Sequence, residues 1–172
     1  MVLNKIKLRH LRKKLKIKKK NIEIFTDITL SSYKMLSLKD NIYIGPNAKI
    51  YGKGHVTIND NVIIGPNVNI FSSMHDYNGG HLPYGFVDIV SNIEIGESVW
   101  IGANVSILPG ICIGEGAIIG LGSIVTKDVP SLAIVAGNPA TIINWRNKKE
   151  YEDMKAKEKF YLKKKLKGRN FK

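Results

Sequence analysis

Four histidines and one cysteine are the side chains of this 172-residue sequence best suited to move a proton or attack a carbonyl near neutral pH. His75 and His81 stand in a stretch without regular pattern, FSSMHDYNGGHLPYGFVDIVSN, at residues 71–92. An imidazole titrates near neutrality, so it can take the proton of a hydroxyl as that oxygen attacks an electrophile. Asp76, the next residue, could orient the ring of His75, and is as well suited to a solvated turn. On residue type alone a loop histidine is more often a surface side chain, and both readings stand at this point. His81, beyond Gly79-Gly80, is a candidate substrate contact, and His10 and His55 read as structural or exposed. Cys112, between Ile111 and Ile113, has no histidine near it in sequence and reads as a packing or turn residue rather than a nucleophile. A lone cysteine also excludes an internal disulfide and a Cys-based zinc site.

The elements that must hold these residues announce themselves by a period. From Ile95 an aliphatic residue recurs every sixth position, at Ile101, Ile107, Ile113, Ile119 and Val125. A second series runs four places later, through Val99, Val105, Ile111, Ala117, Ser123 and Val129, and glycine follows the first at Gly96, Gly102, Gly114 and Gly120. The pattern is present earlier at Ile58, Ile64 and Ile70 with Val62 and Val68, and at Ile44 and Ile50 with Gly45 and Ala48. The two blocks are offset, because Ile44 to Ile64 is twenty residues and not eighteen. A period of six fits neither an amphipathic helix nor one long strand; it fits a short strand and a turn, repeated. The aliphatic residue points inward, and Gly, Asn or Asp takes the backbone angles of the turn. Stacked coils then bury a continuous aliphatic column, with strands about 4.8 Å apart. The expected fold is an all-β solenoid. A sandwich of irregular strands is the competing architecture, and six successive hits on one grid argue against it.

These residues resemble the hexapeptide-repeat acyltransferases. Val99-Trp100-Ile101-Gly102-Ala103-Asn104-Val105 through Val135-Ala136-Gly137-Asn138-Pro139-Ala140 is similar to the galactoside, maltose and polysaccharide O-acetyltransferase branch, and the likeness spans roughly residues 38–143. It implies a left-handed parallel β-helix of about three hexads per coil, a handedness the period itself does not contain. It implies a homotrimer with active sites between neighbouring prisms, and an acetyl group carried by acetyl-CoA to a hydroxyl. It assigns His75 as the base and brings Trp100 to the acceptor, where residue type alone leaves an outward Trp as ligand surface or subunit contact. Asn47 corresponds to an asparagine that meets the acceptor, although Asn67 repeats it as an ordinary turn residue; Asp76 is grouped with the substrate. Ala103, Gly120, Leu121, Thr126 and Lys127 match the coenzyme groove. Thr141 and Asn144 stand where the family often has basic residues, and Arg146, Lys148 and Lys149 follow closely enough to replace them, Arg146 first.

Charge divides the chain further. Residues 1–20 hold ten Lys and Arg and no acid, residues 147–172 hold eleven against four acids, and the net charge is +13, so the body between is acidic. The domains expected are a basic N-terminal segment (1–21), the β-helix (22–143, with the loop 71–92 leaning on a neighbouring subunit) and a basic helical tail (144–172). In the tail Tyr151, Met154, Glu158, Tyr161 and Leu162 fall near helical spacing; Leu8, Leu11 and Leu15 form a weaker stripe. Basic amphipathic segments suit an anionic membrane surface, and nucleic acid is disfavoured because the body has no nucleic-acid-binding pattern. Without an 18-residue apolar run, a secretory leader or paired cysteines, the expected place is the cytoplasm, peripheral at the inner face of the membrane.

Function therefore reads as O-acetylation of a sugar hydroxyl, of a surface polysaccharide or its precursor, with acetyl-CoA as co-substrate and no metal. The alternatives are N-acetylation of a nucleotide-linked amino sugar and a non-catalytic scaffold; a metal-binding scaffold would need histidines in the coils, where only His55 lies. Removing residues 1–20 takes away ten positive charges and no part of the hexad grid. On the membrane reading the truncated chain folds but loses binding to anionic vesicles, while binding by the intact chain weakens steeply with salt. Co-sedimentation over a salt series measures both, and vesicle binding kept by the truncated chain would remove that reading.

Overall fold

The computed structural model describes Lys13, Leu15, residues 21–25 and residues 28–166. The stripe positions Leu8 and Leu11, His10, and residues 167–172 lie outside the described residues. The chain winds as a β-solenoid whose short strands stack into three parallel sheets. The first face takes β1 (Ile22–Ile24), β4 (Ile42–Ile44), β7 (Ile63–Ile64), β12 (Trp100–Ile101), β15 (Ile118–Ile119) and β17 (Ala133–Gly137). The second takes β2 (Thr29–Leu30), β5 (Lys49–Tyr51), β8 (Asn69–Phe71), β13 (Ser106–Ile107) and β16 (Ile124–Val125). The third takes β3 (Leu36–Leu38), β6 (Val56–Ile58), β11 (Ile93–Ile95) and β14 (Cys112–Ile113). A ribbon of β9 (Ser73–His75) and β10 (Asp88–Val90) leaves the coil between the second and third faces.

The register shows what the six-residue period builds. Ile64 pairs with Ile44 below it and with Ile101 above, and Ile101 with Ile119, so each coil sets one aliphatic side chain on the last. Ile44, Ile64, Ile101 and Ile107 have no exposed surface, and every such burial is worth about 1.5–3 kcal/mol. Turns between faces use left-handed backbone at Asn41, Asn47, Asn61, Asn67 and Asn104, a conformation that asparagine tolerates. Their side chains form ladders: Asn47 donates to Asn67 at 3.2 Å and Asn67 to Asn104 at 3.0 Å.

The offset between the sequence blocks has a physical site. Early coils take twenty residues, as Ile24 to Ile44 shows, and the later step from Ile101 to Ile119 takes eighteen. The first-to-second-face step is six in both, Ile44 to Ile50 and Ile101 to Ile107. From second to third face, Ile50 to Ile58 takes eight and Ile107 to Ile113 six. Two extra residues therefore sit at the corner Gly52-Lys53-Gly54-His55, the corner from which the ribbon emerges in the next coil. One further coil, β1 to β3, precedes the region in which the hexads were plain.

The top of the solenoid turns back: β18 (Ala140–Trp145) runs antiparallel to β17 and spans the expected boundary at 143. The expected helical tail is two helices, α1 (Lys148–Ala156) and α2 (Tyr161–Leu166), because the chain reverses at Lys157–Phe160 with Glu158 in a left-handed conformation. Tyr151 and Leu162 are buried, while Met154 and Tyr161 of the expected stripe are exposed. Asn147 caps α1 by accepting from the Glu150 amide at 3.1 Å. The helix is pinned to the coil by Tyr151, whose hydroxyl donates to Glu115 at 2.9 Å, and by Lys155, which pairs with Glu115 and with Glu97 at 3.4 Å. Burial first, and then the Glu115 carboxylate, push the Tyr151 phenol up to about 12 against a lowering hydrogen bond with Ser98.

Burial alone would raise the Glu115 carboxyl, but hydrogen bonds from Lys155 and Tyr151 hold it below its ordinary value. Since the folded chain binds that proton less readily than the unfolded one, the stabilisation is full above the ordinary carboxylate range and is lost as pH falls through the lowered folded value. The stability difference between the native chain and Glu115→Gln, followed by urea unfolding, is therefore expected at pH 7, should shrink as pH falls below the ordinary carboxylate value of about 4.3, and should vanish once pH lies below the lowered folded value. A difference that persists undiminished in acid would contradict this assignment.

Candidate active site

His75 ends β9 and faces Asp88, the first residue of β10, across the antiparallel pair. Its Nδ1 lies 2.9 Å from Asp88 Oδ1, and the ring of Tyr84 stacks on the imidazole with centroids 4.0 Å apart and planes within 6°. Lys53 reaches the other carboxylate oxygen at 2.8 Å. The Lys53 ammonium first, and then His75, hold the Asp88 carboxyl below the usual carboxylate range, so it is ionised at neutral pH and accepts. A carboxylate at Nδ1 assigns the ring proton to that nitrogen and leaves Nε2 with a lone pair. The His75 side chain is 59% exposed in the single chain. The arrangement can draw a proton from a hydroxyl brought to Nε2.

The residue that orients the ring is Asp88, not the adjacent Asp76. Asp76 holds a turn instead: its carboxylate accepts from the Asn78 amide at 2.9 Å and its carbonyl from Gly85 at 2.8 Å. His81 packs against Phe86 farther along the ribbon, centroids 4.4 Å apart, and His55 is structural, its Nε2 2.8 Å from the Ser37 hydroxyl. Cys112 is exposed on the third face rather than packed in the core. Partial burial, Glu94 and Asp128 raise its thiol, which weakens it further as a nucleophile.

The other expected site residues are spread around the prism. Trp100 lies on the first face, 51% exposed, beside a cavity of about 250 Å³ closed by Met154, Phe160 and Leu162 of the C-terminal segment. Asn47 ends the asparagine ladder at the corner between the first and second faces. Ala103, Gly120 and Leu121 occupy the same corner in higher coils, where Gly122 donates to the Ala103 carbonyl at 2.8 Å and Leu121 is 78% exposed. Thr126 and Lys127 lie at the next corner, two coils above the root of the ribbon, a rise of roughly 10 Å. Arg146 is elsewhere: its Nε donates to the Gly116 carbonyl at 2.7 Å and its guanidinium lies over Tyr151, so it serves the docking of α1. Thr141 and Asn144 sit on β18. One chain thus assembles His75 with Asp88, Lys53 and Tyr84, and does not bring them to Trp100 or Asn47. Sequence reasoning missed Asp88, Lys53 and Tyr84; an acid alone in the apolar run Phe86-Val87-Asp88-Ile89-Val90 was the available signal for the first.

Residues 92–127 match the bacterial transferase hexapeptide family (six repeats). With the observed coil register, that match makes the chain a hexapeptide-repeat β-helix, left-handed as the repeat implies. Among solved structures it is similar to a maltose O-acetyltransferase from Clostridium difficile 630, with a TM-score of 0.69 and 24% identity over 83% of this chain and 88% of the other. It is similar to a galactoside acetyltransferase in complex with coenzyme A, TM-score 0.66, 29% identical, covering 84% and 82%. A polySia-specific acetyltransferase is 35% identical over 66% of this chain and 52% of its own, with a TM-score of 0.54. The first of these shows the fold alone; the other two support the resemblance read from the sequence to the galactoside and polysaccharide branch. Among curated proteins nothing matches.

Proposed function

We propose that the chain is an acetyl-CoA-dependent O-acetyltransferase acting on a hydroxyl of a sugar, in a surface polysaccharide or its precursor. The observation that carries the reading is the His75–Asp88 pair on the ribbon that leaves the coil between the second and third faces. His75 Nε2 takes the acceptor's proton as the hydroxyl oxygen attacks the thioester carbonyl. The carbon–sulfur bond then breaks, and the imidazolium returns the proton to the leaving thiolate. Asp88 stabilises the imidazolium while it exists. Trp100 offers a flat apolar surface for a sugar ring, with Asn47 as a further acceptor contact. Ala103, Gly120, Leu121, Thr126 and Lys127 line the donor groove, Lys127 meeting a phosphate as a point charge; Arg146, committed to Gly116, does not join them. A polySia-specific enzyme among the similar structures supports the glycan acceptor.

The same reading requires a neighbouring copy. His75 and the pair Thr126 and Lys127 share one edge of the prism, whereas Trp100 lies on the first face and Ala103, Gly120 and Leu121 on another edge, and a groove between two prisms would bring them together. The ribbon also projects Leu82 at 97% exposure and Phe86 at 89%, apolar surface that a second chain would cover. The basic tails remain candidates for contact with an anionic membrane where a lipid-linked acceptor would lie; among the described residues no helix is long and apolar enough to cross one.

Two measurements test this. His75→Ala is expected to lower kcat by about a hundredfold or more with acetyl-CoA binding nearly unchanged, and a mutant of near-native turnover would remove His75 as base. Light scattering is expected to report a trimer at working concentration, and an active monomer would defeat the shared-site arrangement.

A further inference from the structure

We propose that Lys53 is a positioning residue for His75, acting through Asp88; the inference rests on His75 being the base. The Asp88 carboxylate is shared, with Oδ1 2.9 Å from His75 Nδ1 and Oδ2 2.8 Å from Lys53 Nζ. His75 and Asp88 both ride on the ribbon, so their hydrogen bond fixes them relative to each other and not to the coil. Lys53 stands on the coil itself, at the corner between β5 and β6. Its ion pair therefore ties the ribbon's working end to the wall from which the other expected site residues are mounted.

The corner is built for that reach. Lys53 lies in the segment that makes this step eight residues where a later coil uses six. The glycines on either side allow the corner to lie against both roots of the ribbon. A Cβ on Gly52, which has φ +123°, would meet the Ser72 hydroxyl oxygen at 2.4 Å, and one on Gly54 would meet the Ser91 carbonyl oxygen at 2.3 Å. Lys53 thus rises between two close backbone contacts. Its side chain is 70% exposed, so the pair adds little to stability, and its effect is on orientation and local charge. The ammonium keeps Asp88 an ionised acceptor for the His75 Nδ1 proton. The other groups about the imidazole are the Tyr84 ring and Asp76, whose carboxylate is turned to the Asn78 amide.

Steady-state kinetics of Lys53→Met, Lys53→Arg, Asp88→Asn and the double variant K53M/D88N test the proposal. Lys53→Met is expected to lower kcat about tenfold with KM for acetyl-CoA unchanged. Lys53→Arg should restore most of the rate, and the double variant should be no slower than Asp88→Asn alone, because Lys53 works through that carboxylate. An unaltered kcat in Lys53→Met, or a double variant slowed by the product of the two single effects, would overturn it. The NMR signal of the hydrogen-bonded His75 Nδ1 proton gives a readout that needs no activity: it should weaken in Lys53→Met and persist in Lys53→Arg, and an unchanged signal in both counts against the proposal. Full turnover in His75→Ala would instead sink the base assignment, an outcome distinct from any of these.

Discussion

Everything in this molecule depends on one constraint: each strand must hydrogen-bond to the coil above and the coil below while placing an aliphatic side chain between them. Trp100 N–H donates to the Ala117 carbonyl at 3.0 Å and Gly102 to Ile119 at 2.8 Å, and the same step recurs through the stack. Parallel strands two or three residues long leave no slack. An extra residue on a face would rotate every later side chain from inside to outside. Length can change only at the corners, where the backbone already turns and its polar groups reach solvent. All three departures from the eighteen-residue coil, the eight-residue steps from Leu30 to Leu38 and through Gly52–His55 and the ribbon at 72–92, accordingly lie at one corner.

Chemistry follows from that geometry. The faces are occupied by packing and pairing, so a proton-transferring side chain must stand on an excursion from them, and an excursion is poorly fixed unless something ties it down. Here a second strand supplies Asp88, an aromatic ring supplies stacking, and a lysine on the neighbouring corner supplies the link to the wall. Rigid coil and projecting ribbon divide the work: one presents flat, invariant edges to large ligands, the other carries the group whose position decides the rate.

The fold was legible because its cause is periodic. Ile95, Ile101, Ile107, Ile113 and Ile119 are all fully or almost fully buried, as the six-residue grid requires. The first coil lies inside the expected β-helix (22–143) but off the plain hexad grid, because Leu30 to Leu38 is a step of eight and both side chains are only half-buried. The site was legible in part. His75 could be singled out from its place in the interruption and from family likeness, but its partner lies thirteen residues away across an antiparallel pairing that no local pattern encodes. Asp76 was the nearer carboxylate in sequence and the farther in effect. Arg146 looked like a phosphate ligand from its order in the chain, whereas the reversal through β18 turns it toward the Gly116 carbonyl.

That reversal has a consequence for how long such a chain can be. A stack of parallel coils is a template at both ends, since the last strand leaves its amides and carbonyls ready for another, and identical molecules could in principle add end to end as a fibre. On the first face β18 occupies that edge with the opposite chain direction, and α1 is anchored beside it through Tyr151 and Lys155. The next parallel coil would find a strand running the wrong way. Length is thus set by a terminator as much as by the number of repeats: a coil added in the middle would lengthen the prism, while one added after Trp145 would meet a strand of the wrong direction on the first face.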